Sequence, residues 1–487
     1  MKLLKDILFK VNINAVVGST DTLVQKIELD SRKITTNDVF VAIVGQLSDG
    51  HDFIQKAIEL GAKAIVCQKL PSKLKEGICY VEVENTNEAL AYLASNFYDE
   101  PSKNLKLIGV TGTNGKTTVT SLLYQLFKKA GFKVGLISTV KILVDEKEFK
   151  ATHTTPDALT LNNYLKLMND EGVEFCFMEV SSHGIHQHRA TGLHFEGGIF
   201  TNLSHDHLDY HKTFAAYRDV KKSFFDALHS SAFALTNADD KNGMVMLQNT
   251  KARTYKYALK SYADYKAQIL EAEFNGLLLK LNGHEVWTKL IGKFNAYNLT
   301  AIFATAELLG LQTEETLKYV SELESVSGRF QYTISQQKIT SIVDYAHTPD
   351  ALKNVLETIN DIRTKNETLF TVVGCGGDRD KTKRPKMAHI ATVLSDRVIF
   401  TSDNPRSENP EIIIKEMEAG VEPQNFKKTL SITDRKQAIK TACQMAEGND
   451  IILVAGKGHE NYQEINGERF EFDDFHIVTT ILKELEK

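Results

Sequence analysis

A glycine-rich turn in the first quarter of the chain is the strongest candidate for chemistry. It follows the apolar run 108–111, leads into a predicted helix and reads Gly112, Thr113, Asn114, Gly115, Lys116, Thr117 and Thr118. Glycines let backbone N–H groups close around phosphate oxygens, Lys116 adds positive charge, and Thr117 can ligate Mg²⁺. The strict Walker pattern has glycine where this chain has Val110. The turn therefore predicts an atypical nucleotide phosphate site; the alternative is a turn that binds nothing.

A carboxylate ends a second apolar run. Glu179 lies near the end of the run 175–180, which predicts a buried strand. In a fold with a phosphate loop, an acid at the tip of a neighbouring strand is well placed for Mg²⁺. Glu179 is therefore a candidate metal ligand, and the alternative is an edge carboxylate without a ligand.

The stretch 204–211, with the sequence SHDHLDYH, is dense in imidazole and carboxylate groups. Zinc is one reading, but no cysteine joins the cluster, and a nearby phosphate site favours magnesium. His207 would then be an auxiliary Mg²⁺ ligand. The predicted helix that follows carries Lys221 and Lys222, which local sequence alone indicates to be solvated surface lysines.

Polar loops follow four apolar runs in the last third of the chain. The runs cover 342–345, 369–373, 398–402 and 451–455. Strands that alternate with helices predict a doubly wound parallel sheet, in which such loops share one edge and hold the ligand. Arg379 and Arg406 in these loops suit bidentate recognition of a carboxylate, and Glu460 could receive an ammonium group.

The helix after the phosphate loop has a clear apolar stripe. Its members are Val119, Leu122, Leu123 and Leu126, and the helix is expected to stop at Gly131. Such a stripe packs on a sheet. The sequence thus predicts a strand, a phosphate loop and a helix in succession.

The first hundred residues predict a smaller α/β module. A strand at 39–43 precedes a helix that ends at Gly61 and a second strand at 64–66. Ser31 and Gln46 could contact a polar ligand there. The alternative is that Asp30 and Ser31 only cap a turn.

Composition excludes several classes of protein. The 487 residues include 58 Lys and Arg against 63 Asp and Glu, for a net charge of −5, so no basic field favours nucleic acid or an acidic membrane surface. Five widely spaced cysteines fit a reducing compartment better than a disulfide framework. Neither a signal peptide nor an apolar run long enough to span a bilayer is evident. We therefore expect a cytoplasmic protein.

The length suggests about three domains. Polar residues at 100–104 mark a first boundary, and a predicted linker at 331–337 marks a second. We expect an α/β protein with a small N-terminal domain over 1–100, a central ATPase-type phosphate-loop domain over 101–333 and a Rossmann-like doubly wound domain over 334–487.

Motifs along essentially the whole chain carry a family resemblance. They read LDSR, DGH, GVTGTNGKTT, MEVSSHG, QHR, HDHLDYH, GKFNAYN, GRF, DYAHTPDAL, GCGGDRDKTKRPKM, TSDNPR and GKGHE. In this order they resemble the Mur ligases of peptidoglycan synthesis, and HDHLDYH with DYAHTPD is far more specific than the phosphate loop. Within the family, the resemblance is to the members that add the third residue of the stem peptide.

The resemblance implies which residues bind the two phosphate-bearing substrates. The implied uridine pocket contains Leu29, Ser31 and Gln46, and the rest of a UDP-muramoyl dipeptide would contact His153, Thr154, Thr155, Ser181, Gln187 and Arg189. His153 stands where the family has asparagine. ATP would contact residues 112–118, Asn298, Arg329 and Asp344. Lys221 aligns with the family's carbamylated lysine, which implies a Mg²⁺ ligand beside Glu179 and His207.

The resemblance also implies the reaction. A monomeric ligase would use ATP and Mg²⁺ to activate the D-glutamyl γ-carboxylate of UDP-N-acetylmuramoyl-L-alanyl-D-glutamate as an acyl phosphate. The loop at 403–406 resembles that of members that add meso-diaminopimelate, with an implied pocket of Arg379, Asp403, Asn404, Pro405, Arg406, Gly456 and Glu460. The alternatives are a lysine-adding member and a non-catalytic nucleotide-dependent binding protein. The N-terminal module disfavours a folylpolyglutamate synthetase.

Overall fold

The N-terminal residues form a small α/β domain. A computed structural model describes residues 1–45, 48–204, 206 and 208–487, except for the side chains of Leu208 and Asp209. The strands are β1 (Lys2–Leu3), β2 (Ile13–Val17), β3 (Leu23–Val24), β4 (Ile27–Glu28), β5 (Val39–Val41), β6 (Ala64–Cys67) and β7 (Cys79–Val83), and the helices are α1 (Leu4–Ile7), α2 (Ile54–Glu59) and α3 (Thr86–Phe97). The main sheet has the order β2-β7-β6-β5-β4 and is parallel except at β2.

Side chains that alternate along the central strands fill both faces of this sheet. Val39 and Val41 pack in a cluster with Leu90 of α3, whereas Phe40 packs with Ile58 of α2 on the other face. Alternation follows from the two-residue period of a strand. The strands and helix predicted for this module are confirmed.

The central domain is built on an eleven-stranded sheet. Its strands are β8 (Lys106–Thr111), β9 (Val134–Ile137), β10 (Lys141–Val144), β11 (Lys147–Lys150), β12 (Phe175–Glu179), β13 (Gly197–Phe200), β14 (Phe233–Asn237), β15 (Arg253–Ala258), β16 (Tyr265–Glu273), β17 (Gly276–Leu281) and β18 (His284–Thr288). The order is β11-β10-β9-β12-β8-β13-β14-β15-β16-β17-β18. The strands from β9 through β16 in this order are parallel, and antiparallel hairpins extend both ends.

Helices cover this sheet. They are α4 (Lys116–Lys129), α5 (Ala158–Asp170), α6 (Ser182–His186), α7 (Leu208–His211), α8 (Phe214–Asp226), α9 (Gly243–Met246), α10 (Lys293–Leu308) and α11 (Thr313–Ser321). The stripe predicted on α4 is buried in one core cluster with α10, and Gly131 follows the helix end with a φ of +90°. The predicted strand, loop and helix are therefore confirmed.

The C-terminal domain has a six-stranded sheet. Its elements are β19 (Gln331–Ile334), β20 (Thr340–Asp344), β21 (Leu369–Val373), β22 (Arg397–Phe400), β23 (Thr429–Ser431), β24 (Ile451–Ala455), the separate hairpin β25 (Tyr462–Ile465) and β26 (Glu468–Glu471), and the helices α12 (Pro349–Ile362), α13 (Lys383–Leu394), α14 (Pro410–Glu418), α15 (Arg435–Met445) and α16 (Asp474–Glu484). The order is β19-β20-β24-β21-β22-β23, parallel except at β19. The predicted doubly wound sheet is confirmed.

The stretch predicted as a linker contains β19, which pairs with β20 in the C-terminal sheet. The linker interpretation is therefore wrong for Gln331–Ile334. The domain boundaries remain predictions.

The five cysteines are all buried and free. Among the described residues, no helix is both long enough and apolar enough to cross a membrane.

Candidate active site

A cavity of about 680 Å³ lies between the carboxyl edge of the central sheet and the C-terminal domain. Its lining includes the predicted residues Gly112, Thr113, Asn114, Gly115, Lys116, Thr117, Thr118, Thr154, Glu179, Ser181, Lys221, Asn298, Arg329 and Asp344. The structure thus gathers the predicted phosphate loop, the predicted ATP contacts and three of the four predicted metal ligands, Thr117, Glu179 and Lys221, around one space.

Two glycines let the phosphate loop approach its neighbours. Gly112 and Gly115 have φ values of +151° and +88°, and a Cβ on Gly112 would lie 1.9 Å from Oγ1 of Thr201. Asn202 anchors the loop: its carbonyl accepts from N–H of Thr113 at 2.8 Å, and its Oδ1 accepts from N–H of Asn114 at 3.0 Å. Any side chain at Gly112 would displace this loop.

The side chain of Lys116 folds back onto the phosphate loop that precedes it. Its Nζ donates to the carbonyls of Gly112 at 3.0 Å and Thr113 at 2.7 Å. Burial lowers the pKa of this amine, and the carboxylate of Glu179 partly opposes the shift. The loop therefore holds one cation where phosphates would bind.

A buried oxygen pair lies beside this cation. The hydroxyl of Thr117 donates to Oε1 of Glu179 at 2.9 Å, and Glu179 is 1% exposed. N–H of Thr139 also donates to Oε1 at 2.7 Å, and Arg329 Nη2 donates to the Thr117 hydroxyl at 3.2 Å. Hydroxyl and carboxylate oxygens are the donors that Mg²⁺ prefers.

Lys221 and Lys222 are both buried, with exposures of 1% and 9%, so their interpretation as surface lysines is wrong. Lys222 pairs with Asp226 at 2.7 Å. Lys221 instead donates to the Gly112 carbonyl at 2.9 Å and lies 4.9 Å from the ring centre of Tyr217. Burial, with the nearby charge of Lys116, lowers its pKa well below the usual value. Helix α8 is buried on the side that faces the phosphate loop.

The residues predicted to bind a dipeptide form a hydrogen-bonded chain next to Glu179. The Thr155 hydroxyl donates to the Ser181 hydroxyl at 3.1 Å, and Arg189 Nη1 donates to the Thr155 carbonyl at 2.6 Å. The Thr154 hydroxyl accepts from Thr139 Oγ1 at 3.0 Å. Thr154 and Ser181 line the cavity, and Thr155 and Arg189 lie behind them in this chain of hydrogen bonds.

The other two members of this predicted set differ in their surroundings. Gln187 Oε1 accepts from Arg189 Nη2 at 2.7 Å, whereas His153 is exposed and contacts the Thr152 hydroxyl at 3.2 Å. Partial desolvation of the ring, with the charge of Arg189, lowers the pKa of His153. Gln187 thus supports Arg189 directly.

Leu29 and Ser31 do not line the cavity. Leu29 packs against the N-terminal core, and Ser31 is buried at the start of a 3₁₀ turn that Asp30 caps through the N–H of Arg32 at 3.0 Å. Asp30 therefore caps this turn, as one of the two interpretations expected. Gln46 lies outside the described residues.

Arg329 and Asp344 line the cavity where the central domain meets the C-terminal domain. The guanidinium of Arg329 stacks 4.5 Å from the ring centre of Tyr345, and Oδ2 of Asp344 accepts from N–H of Phe330 at 2.7 Å. Asn298 is buried opposite, where its Nδ2 donates to Oδ1 of Asn295 at 3.1 Å. Burial raises the pKa of Asp344 to about 6.

Replacing Asp344 by asparagine should stabilise the fold at neutral pH. Because the folded-state pKa of about 6 exceeds the usual 3.8, the folded protein binds more protons between these values, and stability falls as pH rises through that window. This difference between the two pKa values corresponds to about 3 kcal/mol in the free energy of unfolding. Thermal unfolding should show equal stability of both proteins at pH 3.5 and a more stable variant at pH 8. Equal melting temperatures at pH 8 would contradict this account.

Several cavity residues were not predicted as site residues. Thr139 and Asn202 fix Glu179 and the phosphate loop, and Asp350 Oδ2 accepts from Asn114 Nδ2 at 3.2 Å across the two domains. Two of them could have been predicted from their positions in the sequence. Asn202 follows the apolar run of β13, and Asp350 ends the DYAHTPD motif.

The predicted amino-acid pocket lies at the carboxyl edge of the C-terminal sheet. Asn404 Nδ2 donates to Glu460 Oε2 at 2.7 Å, and a Cβ on Gly456 would lie 2.6 Å from Asp403 Oδ2. Burial tends to raise the pKa of Asp403, but Lys457 and other nearby donors lower it overall. The buried Asp403 therefore favours its ionised form.

Arg406 and Arg379 have different surroundings in this pocket. Arg406 Nη1 donates to the Gly377 carbonyl at 2.7 Å, and its Nε lies 3.8 Å from Oε2 of Glu464. Arg379 is exposed and donates to the Asp378 carbonyl. A Cβ on Gly377 would lie 1.9 Å from the Pro405 carbonyl, so the two loops pack closely.

Metal binding has partial support in the described part of the chain. No group of three His, Cys, Asp or Glu side chains there could hold an ion. The oxygen pair of Thr117 and Glu179 fits Mg²⁺, whereas an ammonium on Lys221 would repel it and a carbamate would supply another oxygen donor. His207 lies outside the described residues.

Comparison with known proteins covers nearly the whole chain. The Mur ligase family catalytic domain matches residues 23–98, the Mur ligase middle domain 110–306 and the Mur ligase glutamate ligase domain 328–458. The chain is 53% identical to UDP-N-acetylmuramoyl-L-alanyl-D-glutamate--2,6-diaminopimelate ligase of Cytophaga hutchinsonii, over 99% of this chain and 100% of that protein. It is 52% identical to the ligase of that name from Phocaeicola vulgatus, over 98% and 99%.

A solved structure of a ligase with the same name has a TM-score of 0.72 and 33% identity, and the match covers 100% of this chain and 99% of that chain. The three matched domains follow the order of the three sheets described above. This chain therefore belongs to the Mur ligase family.

Proposed function

We propose that this chain is the ATP-dependent ligase that joins meso-2,6-diaminopimelate to the D-glutamyl γ-carboxylate of UDP-N-acetylmuramoyl-L-alanyl-D-glutamate in peptidoglycan precursor synthesis. The carrying observation is that Arg406, which donates to the Gly377 carbonyl, and the hydrogen-bonded pair of Asn404 and Glu460 lie in loops at the same edge of the C-terminal sheet. An arginine suits a carboxylate, and an acid suits an ammonium group. The arginine and the acid together complement the carboxylate and the ammonium group at one end of diaminopimelate. The amine at the other end of diaminopimelate is the one that reacts.

Tyr345 connects the proposed pocket with the cavity. Its ring stacks on Arg329, and its hydroxyl lies 3.5 Å from Oε1 of Glu460. His459 packs against the same ring at 4.9 Å between ring centres. An amino acid held at Glu460 would thus lie beside the space assigned to ATP.

The first step of the proposed reaction activates the carboxylate. An oxygen of the γ-carboxylate attacks the γ-phosphorus of ATP, the bond from that phosphorus to the bridging oxygen breaks, and ADP leaves. N–H groups of residues 112–118 and the amine of Lys116 offset charge on the transferring phosphoryl group. Thr154, Thr155, Ser181, Gln187 and Arg189 would orient the dipeptide.

The second step forms the amide. The free amine attacks the acyl carbon, a tetrahedral intermediate forms, and the bond from carbon to the phosphate oxygen breaks with loss of a proton from nitrogen. Arg406 and Glu460 would orient the amine. Holding both substrates in place supplies the orientation that lowers the barrier.

We assign Thr117, Glu179, His207 and a carbamylated Lys221 as the residues that would hold Mg²⁺. The ion would neutralise phosphate charge. The proximity of Thr117 to Glu179 and the burial of Lys221 support this assignment.

We further propose that the chain works as a monomer in the cytoplasm, where ATP is available. The N-terminal domain would bind the uridine end through Leu29, Ser31 and Gln46. Domain limits of 1–100, 101–333 and 334–487 follow from the sequence.

A substrate panel tests the function. Phosphate release from ATP should require both the UDP-muramoyl dipeptide and meso-diaminopimelate, and L-lysine should react about 10⁴-fold less efficiently because it lacks the second carboxylate. Preference for lysine would assign the lysine-adding activity instead. ATP binding without amino-acid-dependent release would indicate a non-catalytic protein.

A further inference from the structure

A buried lysine lies behind the proposed amino-acid pocket. Lys457 has a fully buried side chain, and its Nζ donates to Oδ1 of Asn404 at 2.9 Å. The same Nζ lies 3.5 Å from Oε2 of Glu460 and 5.5 Å from the ring centre of Tyr462. One cation thus contacts both polar side chains of the pocket.

Lys457 and the backbone N–H of Glu464 together determine which way the Asn404 amide points. Oδ1 of Asn404 accepts from Lys457 and also from N–H of Glu464 at 2.9 Å. A flipped amide would place its NH₂ group against these two donors. The amide nitrogen must therefore face Glu460, where it donates at 2.7 Å.

The charge of Lys457 also acts on Glu460. Burial and the neighbouring Asp403 raise the pKa of Glu460, whereas Lys457 and the Asn404 amide lower it. Among the described residues, the hydroxyls of Tyr345 and Tyr462 and the guanidinium of Arg435, which pairs with Asp474 at 2.7 Å, also interact electrostatically with this carboxylate. Lys457 is thus the cation in hydrogen-bond contact with Glu460 in the described residues.

We infer that Lys457 is a positioning residue: it orients Asn404 and keeps Glu460 available to an ammonium group of the incoming amino acid. Oε2 of Glu460 is held by Asn404 and Lys457, whereas Oε1 has the Tyr345 hydroxyl at 3.5 Å and is the oxygen that would accept from the substrate ammonium. The inference rests on the proposed function, because it assumes that the pocket binds an amino acid.

Substitution of Lys457 tests the inference in the full-length enzyme. Lys457→Met should raise the KM for diaminopimelate at least about 30-fold at pH 7, as expected when one partner of a buried charge pair is removed. The KM for ATP should stay within about twofold of the wild-type value. Lys457→Gln keeps a hydrogen-bond donor but no charge. Its KM for diaminopimelate should therefore lie between the values of the wild type and of Lys457→Met.

Two further readouts separate positioning from general structural damage. The KM ratio of Lys457→Met to wild type should fall as pH rises from 6 to 9, because Glu460 regains its charge. Lys428→Met is a matched control in the same domain: Lys428 donates to the carbonyls of Thr392 and Ser395, and its loss should leave the KM unchanged.

A double-mutant cycle completes the test. If Lys457 acts through Glu460, replacing Lys457 by Met or Gln in a Glu460→Gln background should change the KM less than about threefold. Additive effects, a pH-independent ratio or equal changes in the KM of ATP would overturn the inference. Wild-type turnover with diaminopimelate tests the proposed function separately, so the two can fail independently.

Discussion

Replacing Lys221 by methionine should lower kcat by about 10³-fold or more, within the range for loss of a group that stabilises phosphoryl transfer. Lys221 is 1% exposed, and its Nζ donates to Gly112 in the phosphate loop. Methionine keeps the volume of the side chain but removes the nitrogen that would carry the carbamate. Steady-state phosphate release measures the loss.

The environment of Lys221 favours the chemistry that the carbamate requires. Burial and the charge of Lys116 lower the pKa of Lys221 well below the usual value, so more of the amine is neutral. A neutral amine can use its lone pair to form a bond to the carbon of CO₂, and loss of a proton leaves an anionic carbamate. The modification thus converts a buried amine into an oxygen donor next to the phosphate loop.

Lys222 provides the matched control. It is the next residue, is nearly as buried and pairs with Asp226 on the same helix. Lys222→Met should keep kcat within about threefold of wild type, since this ion pair does not border the cavity. Isotope-labelled bicarbonate should give a carbamate signal in wild type and in Lys222→Met, and none in Lys221→Met. A Lys221→Met enzyme with nearly full activity would exclude the proposed role.

Long periodic runs explain which parts of the fold could be predicted. The runs at β21 and β24 match the observed strands residue for residue, and α4 begins at the predicted Lys116. Four strands between residues 253 and 288 extend the central sheet without any motif. Their pairing depends on tertiary contacts and turn positions, so local periodicity could not place them on this sheet.

The two adjacent lysines show why burial within the site was harder to predict. A lysine on a helix is normally solvated, because burying an ammonium is costly. Lys221 and Lys222 are buried because α8 packs against α6 and against the phosphate loop, and the bond from Lys221 to Gly112 joins positions 109 residues apart. The family resemblance, rather than local sequence, pointed to Lys221.

The C-terminal pocket shows the same limit. Arg406 and Glu460 carried a clear signal because they follow predicted strands of one parallel sheet. Lys457 follows β24 as well, but only the strand order places it between Asn404 and Glu460. Sequence could therefore predict which loops meet, but not which side chain is buried behind the others.

Replacing Arg406 by alanine should raise the KM for meso-diaminopimelate strongly. Truncating one partner of a buried charge pair costs about 2–5 kcal/mol, which corresponds to roughly 30- to 5,000-fold in KM. The KM for lysine should change little, because lysine has no second carboxylate to lose. Discrimination between the two amino acids would therefore fall by the same factor, and steady-state kinetics with both substrates measures it.

The backbone at Arg406 calls for a second variant. Its φ is +50°, and its N–H and carbonyl are held by Glu464 at 3.0 Å and Asn466 at 2.8 Å in the hairpin β25–β26. Asparagine tolerates this left-handed conformation better than alanine. Arg406→Asn should therefore show the same loss of discrimination with less effect on thermal stability, which assigns the loss to the guanidinium.

Arg469 is the matched control for charge at this site. Its guanidinium shares the Glu464 carboxylate with Arg406 at 3.8 Å, but its side chain is 52% exposed. Exposed pairs contribute little, so Arg469→Ala should change the KM for diaminopimelate less than about threefold. If Arg406→Ala and Arg469→Ala gave equal small changes, Arg406 would not bind the second carboxylate. A large effect at Arg406 alone would locate specificity in one guanidinium that the hairpin holds in place.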